Sequence, residues 1–144
     1  MRRLTLFSLT SLASAGLLAS CATTATSTPE PRSERAQAEL TRLLFGRVAG
    51  APQQCLPNYR SQDMTVIDEN TIIFRDGANR VWRTDLRGPC NGLGRPSTAL
   101  VTKQFGVSGY CSGEIARVVD TAGGFTVGSC SFGEFVPYTG PGPR

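Results

Sequence analysis

Residues 71–86 read TIIFRDGANRVWRTDL, and the way this stretch divides decides the fold. Thr71 to Arg75 is a short run rich in β-branched and aromatic residues. Asp76-Gly77-Ala78-Asn79 supplies turn residues, and Arg80 to Leu86 resumes an alternating pattern. Two such runs around a glycine-containing turn predict a β-hairpin. Side chains alternate across a strand, so Trp82, Thr84 and Leu86 share one face while Val81, Arg83 and Asp85 share the other.

The same pattern continues outward. Met64 to Ile67 is another strand, separated from Thr71 by the turn-forming Asp68-Glu69-Asn70. Gly88 to Pro96 (GPCNGLGRP) suits only a loop. Strands are expected at Ser97 to Lys103, Glu114 to Asp120 and Phe125 to Cys130, the last two joined by Thr121-Ala122-Gly123-Gly124. Phe132 to Val136 adds a final short strand. Upstream, Ser33 to Phe45 is helical: Ser33 is the expected N-cap, Glu34 suits the first turn, and Ala36, Leu40, Leu43 and Leu44 form one apolar stripe. Gly46 is the expected stop. The expected class is α+β, one N-terminal helix followed by a small, mainly antiparallel β-meander or barrel-like sheet stapled by two disulfides. The helix covers an open face or edge, and no repeat or second domain is visible.

The chain begins differently. Arg2 and Arg3 precede Leu4 to Leu18, a run of apolar and small residues without charge. Ala19 and Ser20 then lead to Cys21. A positive start, an apolar run too short for a ~20-residue span and a small-residue end are the parts of a secretory signal peptide. Leu18-Ala19-Ser20-Cys21 moreover resembles the lipobox of bacterial lipoproteins. In that family the cysteine thiol receives a diacylglycerol, cleavage falls just before it, and the new amino terminus is acylated. The resemblance implies removal of residues 1–20 and lipidation of Cys21. Ala22 stands where an aspartate commonly retains such proteins at the inner membrane, so the implied address is the periplasmic face of the outer membrane. Residues 21–32, with Ala22 to Pro31 reading ATTATSTPEP, are too polar and proline-interrupted to fold and are expected to form a tether. Residues 33–138 form the expected domain, and 139–144 a Pro/Gly tail.

Composition narrows the chemistry. The chain has 15 Lys+Arg against 11 Asp+Glu; Arg2 and Arg3 precede Cys21 and no acid does, so the remainder stands at +2. That charge gives no argument for nucleic-acid binding. The absence of histidine removes every His-dependent triad, histidine metal ligands and the easiest general base near neutral pH. No cofactor is implied. With Cys21 assigned to lipid, Cys55, Cys90, Cys111 and Cys130 form an even set suited to an oxidising compartment. No C-x-x-C occurs, which argues against thioredoxin-like chemistry and a four-cysteine zinc site. Four cysteines allow three connectivities, and sequence does not choose among them. The favoured pairing is Cys90–Cys111, bracketing a short segment, with Cys55–Cys130 joining the domain's ends.

Several stretches invite a functional reading. Asn91 to Arg95 (NGLGR) offers glycine amides beside Arg95 for an anion, but matches neither phosphate-binding fingerprint. Gly106 to Tyr110 (GVSGY) has Tyr110 where a nucleophile elbow needs glycine, and Ser108 has no histidine. Of the carboxylates beyond the helix, Asp85 and Glu114 are the pair to inspect for glycan hydrolysis, which needs two carboxylates converging across ~5–9 Å. Asp68, Asp76 and Asp120 fall at turns, where aspartate is locally favoured. Arg75, Arg80, Arg83 and Arg87 cluster with Trp82 around one hairpin, a candidate surface for an anionic partner or glycan. The competing expectation, and the favoured one, puts Trp82 in the core and the arginines in solvent.

The stretches QQCLP, LRGPCNGLG, YCSGE and VGSCSFGEF around the four cysteines resemble an uncharacterised family of small four-cysteine proteobacterial lipoproteins. That resemblance implies disulfides and an envelope address and carries no catalytic residue. The expected function is therefore a non-enzymatic, membrane-anchored envelope lipoprotein that binds an envelope protein or glycan. One alternative is a module similar to lipoproteins that inhibit lysozymes, inserting Val107-Ser108-Gly109-Tyr110 into a cleft. The other is a carboxylate hydrolase using Asp85 and Glu114.

Overall fold

The structure is a computed structural model describing residues 31–57, 63–88, 90–103 and 109–142. Cys21, the leader, most of the tether and Ser108 lie outside the described residues. Helix α1 spans Glu34–Leu44, and the Ser33 hydroxyl accepts from the Ala36 amide at 3.3 Å as its cap. Ala36, Leu40 and Leu43 are buried. Gly46 ends the helix at φ +71°, a conformation glycine adopts without Cβ strain.

Among the described residues nine strands follow, β1 Val48–Ala49, β2 Cys55–Pro57, β3 Asp63–Asp68, β4 Thr71–Asp76, β5 Arg80–Arg87, β6 Thr98–Thr102, β7 Gly109–Cys111, β8 Ile115–Asp120 and β9 Thr126–Thr139. Seven of them form one curled, open half-barrel in the order β3-β4-β5-β9-β8-β6, with β1 also paired to β9. Strands β2 and β7 make a separate ribbon, and every pairing is antiparallel. The α+β expectation is met, with three short strands (β1, β2, β7) that the local pattern does not announce. The two short strands expected at Phe125–Cys130 and Phe132–Val136 are one long strand, β9.

The sheet has apolar groups on both faces. Ile72, Phe74, Trp82, Leu86, Phe132 and Phe135 fill the concave face. On the other face Ile73 and Val81 pack beneath Leu40 and Leu43 of α1, flanked by Ile67 and Tyr138. The strand alternation read from residues 71–86 is thus realised: Trp82, Thr84 and Leu86 face the concave core, and Val81 lies under the helix.

The disulfide pairing corrects the expectation. The bridges are Cys55–Cys111 and Cys90–Cys130. Cys55 and Cys111 stand directly opposite in the β2–β7 ribbon, with Cα atoms 4.0 Å apart, while Cys90 meets Cys130 of β9 at the concave core. Segment length was the wrong guide, because strand register and core packing determine which thiols meet. The ribbon also brings in Tyr110, whose ring lies 5.4 Å from Phe74 and 5.3 Å from Phe132.

Candidate functional site

The structure separates the residues that the sequence grouped as one surface. Trp82 is 5% exposed, so it is a core residue and offers no surface contact. Its indole N–H points to Asp76 at 3.4 Å, and the Arg80 guanidinium lies 5.8 Å from its ring centre. Arg80 Nε pairs with Asp76 at 2.6 Å, Arg83 Nη2 with Asp85 at 2.8 Å and Arg75 Nε with Asp63 at 3.2 Å. Arg80 follows Trp82 onto the concave side, whereas Arg75 and Arg83 alternate onto the helix side. The exposed Arg87 reaches the Ser112 hydroxyl at 3.4 Å. No single arginine–tryptophan face exists.

Asp85 and Glu114 are likewise committed to structure. Arg32 donates to Asp68 and to the Thr71 hydroxyl; that hydroxyl, fully buried, donates to Asp85 Oδ1 at 2.8 Å. Burial disfavours the Arg83 charge, but Asp85 and Tyr138 more than offset this and hold its guanidinium above its ordinary value. The network fastens the chain entering at Pro31 to the start of β4, so Arg32, expected in the tether, joins the folded unit. Glu114 accepts the Cys111 amide at 3.0 Å and lines a 370 Å³ cleft with Val101, Lys103, Ile115 and Arg117, to which Asp85 does not contribute. Asp85→Ala is expected to lower stability by about 1–2 kcal/mol, because a buried hydroxyl loses its acceptor. A urea midpoint unchanged from wild type would show that the network contributes nothing.

The glycine loop is also occupied from within. Glu69 accepts the Cys90 amide with its carbonyl at 3.1 Å and the Gly92 amide with its carboxylate at 2.7 Å. Leu93 N–H and Arg95 N–H close turns on Cys90 and Gly92. A side-chain carboxylate therefore takes the amide that an anion would have used. Gly109 and Tyr110, expected in an inserting loop, belong to β7, with Tyr110 turned onto the aromatic cluster; Val107 and Ser108 lie outside the described residues.

A different cation cluster is assembled by the fold. Arg42 at the end of α1, Arg47 just beyond it, Arg75 at the end of β4, Asn79 in the β4–β5 turn and Pro141-Gly142 line a pocket of 430 Å³. The tail is drawn there by the Gly140 amide, which donates to Asn79 at 2.9 Å. Arg42 is neutralised by both carboxylate oxygens of Glu39, at 2.6 and 3.1 Å, and Arg75 by Asp63. Arg47 has no carboxylate partner among the described residues. Its Nη2 donates to the Ala78 carbonyl at 3.2 Å, while Nε and Nη1 are buried without an acceptor. Burial and the nearby Arg75 charge hold its guanidinium below its ordinary value. No local pattern marked Arg47, because the pocket is built from segments far apart in sequence.

Among the described residues no three His, Cys, Asp or Glu side chains stand together to hold a metal, and no helix is long and apolar enough to cross a membrane. Residues 2–132 match the model of a family described as a family of unknown function (DUF6491). No curated protein and no solved structure matches the chain.

Proposed function

We propose that this chain, which belongs to the family of unknown function DUF6491, is a non-enzymatic lipoprotein anchored through Cys21 at the periplasmic face of an outer membrane, with a binding role in the envelope. The observation that carries the reading is the cysteine balance. Of five cysteines, four close two disulfides inside the fold, which suits an oxidising compartment. The fifth, Cys21, ends a lipobox-like Leu18-Ala19-Ser20-Cys21 behind a charged start and an apolar run. The family match takes in those residues as well.

In this reading the tether meets the folded unit at Pro31, beside the β3–β4 turn, where Arg32 bonds Asp68 and Thr71. Two or more acyl chains give stable attachment where one is marginal, and about ten extended residues give the domain a reach of roughly 30 Å. Lysozyme inhibition and glycan hydrolysis have weaker support. Tyr110 packs inward, and Asp85 and Glu114 serve separate structural contacts.

The test is fractionation with mass spectrometry of the amino-terminal peptide. Membrane-bound protein beginning at a diacylglyceryl-modified Cys21, and its loss in Cys21→Ser, is the expected result. Soluble wild-type protein with an unmodified Cys21 would refute the anchor.

A further inference from the structure

Arg47 differs from the other two arginines that line its pocket. Each of the other pocket arginines has a carboxylate within 3.2 Å. Arg47 instead has two buried nitrogens with no acceptor among the described residues, an arrangement that costs more than an ordinary lost hydrogen bond because the group is charged. Its Nη2 is oriented by the Ala78 carbonyl at 3.2 Å, and the Gly142 backbone lies alongside it. A charged donor that lines a 430 Å³ pocket and has no acceptor for two of its nitrogens among the described residues suits an anion.

The charge count selects the class. Arg42 with Glu39 and Arg75 with Asp63 are already neutral pairs, so among the described residues the pocket carries one uncompensated positive charge. A monoanion balances it, whereas a phosphate dianion would leave excess negative charge. The pocket is also large for a bare carboxylate, leaving room for the group that bears it. Leu43 and Val81 supply apolar wall, and Asn79 lies at the same rim.

Position adds a further constraint. The chain enters the fold at Arg32 beside Asp68, and Arg47 lies at the other end of α1 beside Ala78. Eleven helical residues separate the two ends by about 16 Å.

We propose that the Arg42–Arg47–Arg75 pocket binds a ligand through a free carboxylate, seated on Arg47 and carried by a peptide terminus or a sugar acid. This deepens the binding role proposed above and does not rest on the anchor.

Titration calorimetry with the full chain separates the outcomes, using N-acetyl-alanyl-alanine, its C-terminal amide, glucuronate and inorganic phosphate as probes. Saturable binding of N-acetyl-alanyl-alanine or glucuronate, and none of the amide, is expected; which acid binds more tightly identifies the source of the carboxylate. Arg47→Met is expected to weaken that binding by roughly tenfold or more, since a charge-assisted hydrogen bond is lost. The same variant should melt no lower than wild type without ligand, because it removes two buried donors that have no acceptor among the described residues. An Arg47 with a purely structural role would give the opposite melting result. Binding of neither acid, or of phosphate in preference to both, overturns the proposal. If Arg47→Met does not fold, the wild-type contrast between acid and amide still decides. Failure here with Cys21 still lipidated would dispose of the pocket alone and leave the anchor standing.

Discussion

Gly133→Ala should destabilise this protein by about 3 kcal/mol or more, at the upper end of what overpacking costs. Gly133 is buried in β9, where the pairing of β5 with β9 shifts: Thr84 faces Phe135, but Leu86 faces Phe132. The extra β9 residue forms a bulge that brings Gly133 against the backbone of β5. A Cβ there would overlap the Asp85 carbonyl oxygen. That neighbour is main chain of the central hairpin, so it cannot rotate aside as a side chain would. Relief requires the β5–β9 ladder to open between two fully buried phenylalanines, Phe132 and Phe135. Gly77→Ala is the comparison. Gly77 has φ +67°, and nothing lies within 4 Å of the position its methyl group would take, so the cost there is backbone strain alone, about 1–2 kcal/mol. Urea unfolding of both variants checks the difference; equal midpoints would mean that the bulge tolerates a side chain.

Much of the fold was legible because local chemistry and tertiary structure agree. Ser33 caps the helix, Ala36, Leu40 and Leu43 face inward, and residues 71–86 make the expected hairpin. Alternation puts Trp82 on one face with Thr84 and Leu86, and the favoured core position is the one it takes. The failures have a common cause, which is that the deciding partner is distant in sequence. Strand β9 runs on through Ser131, where a break between two short strands is expected, because β8 and β5 pair with it in turn, and it carries Gly128 and Gly133 inside its length. Both are glycine because backbone passes over them, Asn91 over the first and Asp85 over the second. The β2–β7 ribbon is three residues on each side and joins segments 56 positions apart, so periodicity has nothing to act on. Glu69 satisfies the Gly92 amide across 23 residues, turning an apparent anion loop into a closed structural turn. Arg47 was invisible for the same reason. Its pocket draws on the helix end, β4, a turn and the tail, whereas the arginines that cluster in sequence split between two faces of the sheet.

Replacing Cys90 and Cys130 together by alanine should prevent stable folding at 37 °C, whereas the Cys55→Ala/Cys111→Ala variant should fold with reduced stability. Chain entropy does not distinguish the bridges. Their separations of 40 and 56 residues give about 4 kcal/mol each in the loop-closure treatment. Burial distinguishes them. Cys90 is fully buried and Cys130 is 7% exposed, and both belong to the concave core with Leu93 and Val118. Their loss removes packed sulfur as well as the constraint, adding the cost of a cavity. It also frees the loop that Glu69 holds at Cys90 and Gly92. Cys55 is exposed and Cys111 partly so, at the edge of a ribbon that remains attached through the Tyr110 contacts with Phe74 and Phe132. Accessibility then predicts the order of reduction. Under native conditions a thiol reductant should open Cys55–Cys111 first, while Cys90–Cys130 should persist until the sheet unfolds. Alkylation of released thiols followed by peptide mass spectrometry reads this order directly. Simultaneous release of all four, or earlier labelling of Cys90 and Cys130, would show that the core around Cys90 opens more readily than its burial implies. The same experiment tests the connectivity, since Cys55 must appear with Cys111 and never with Cys130.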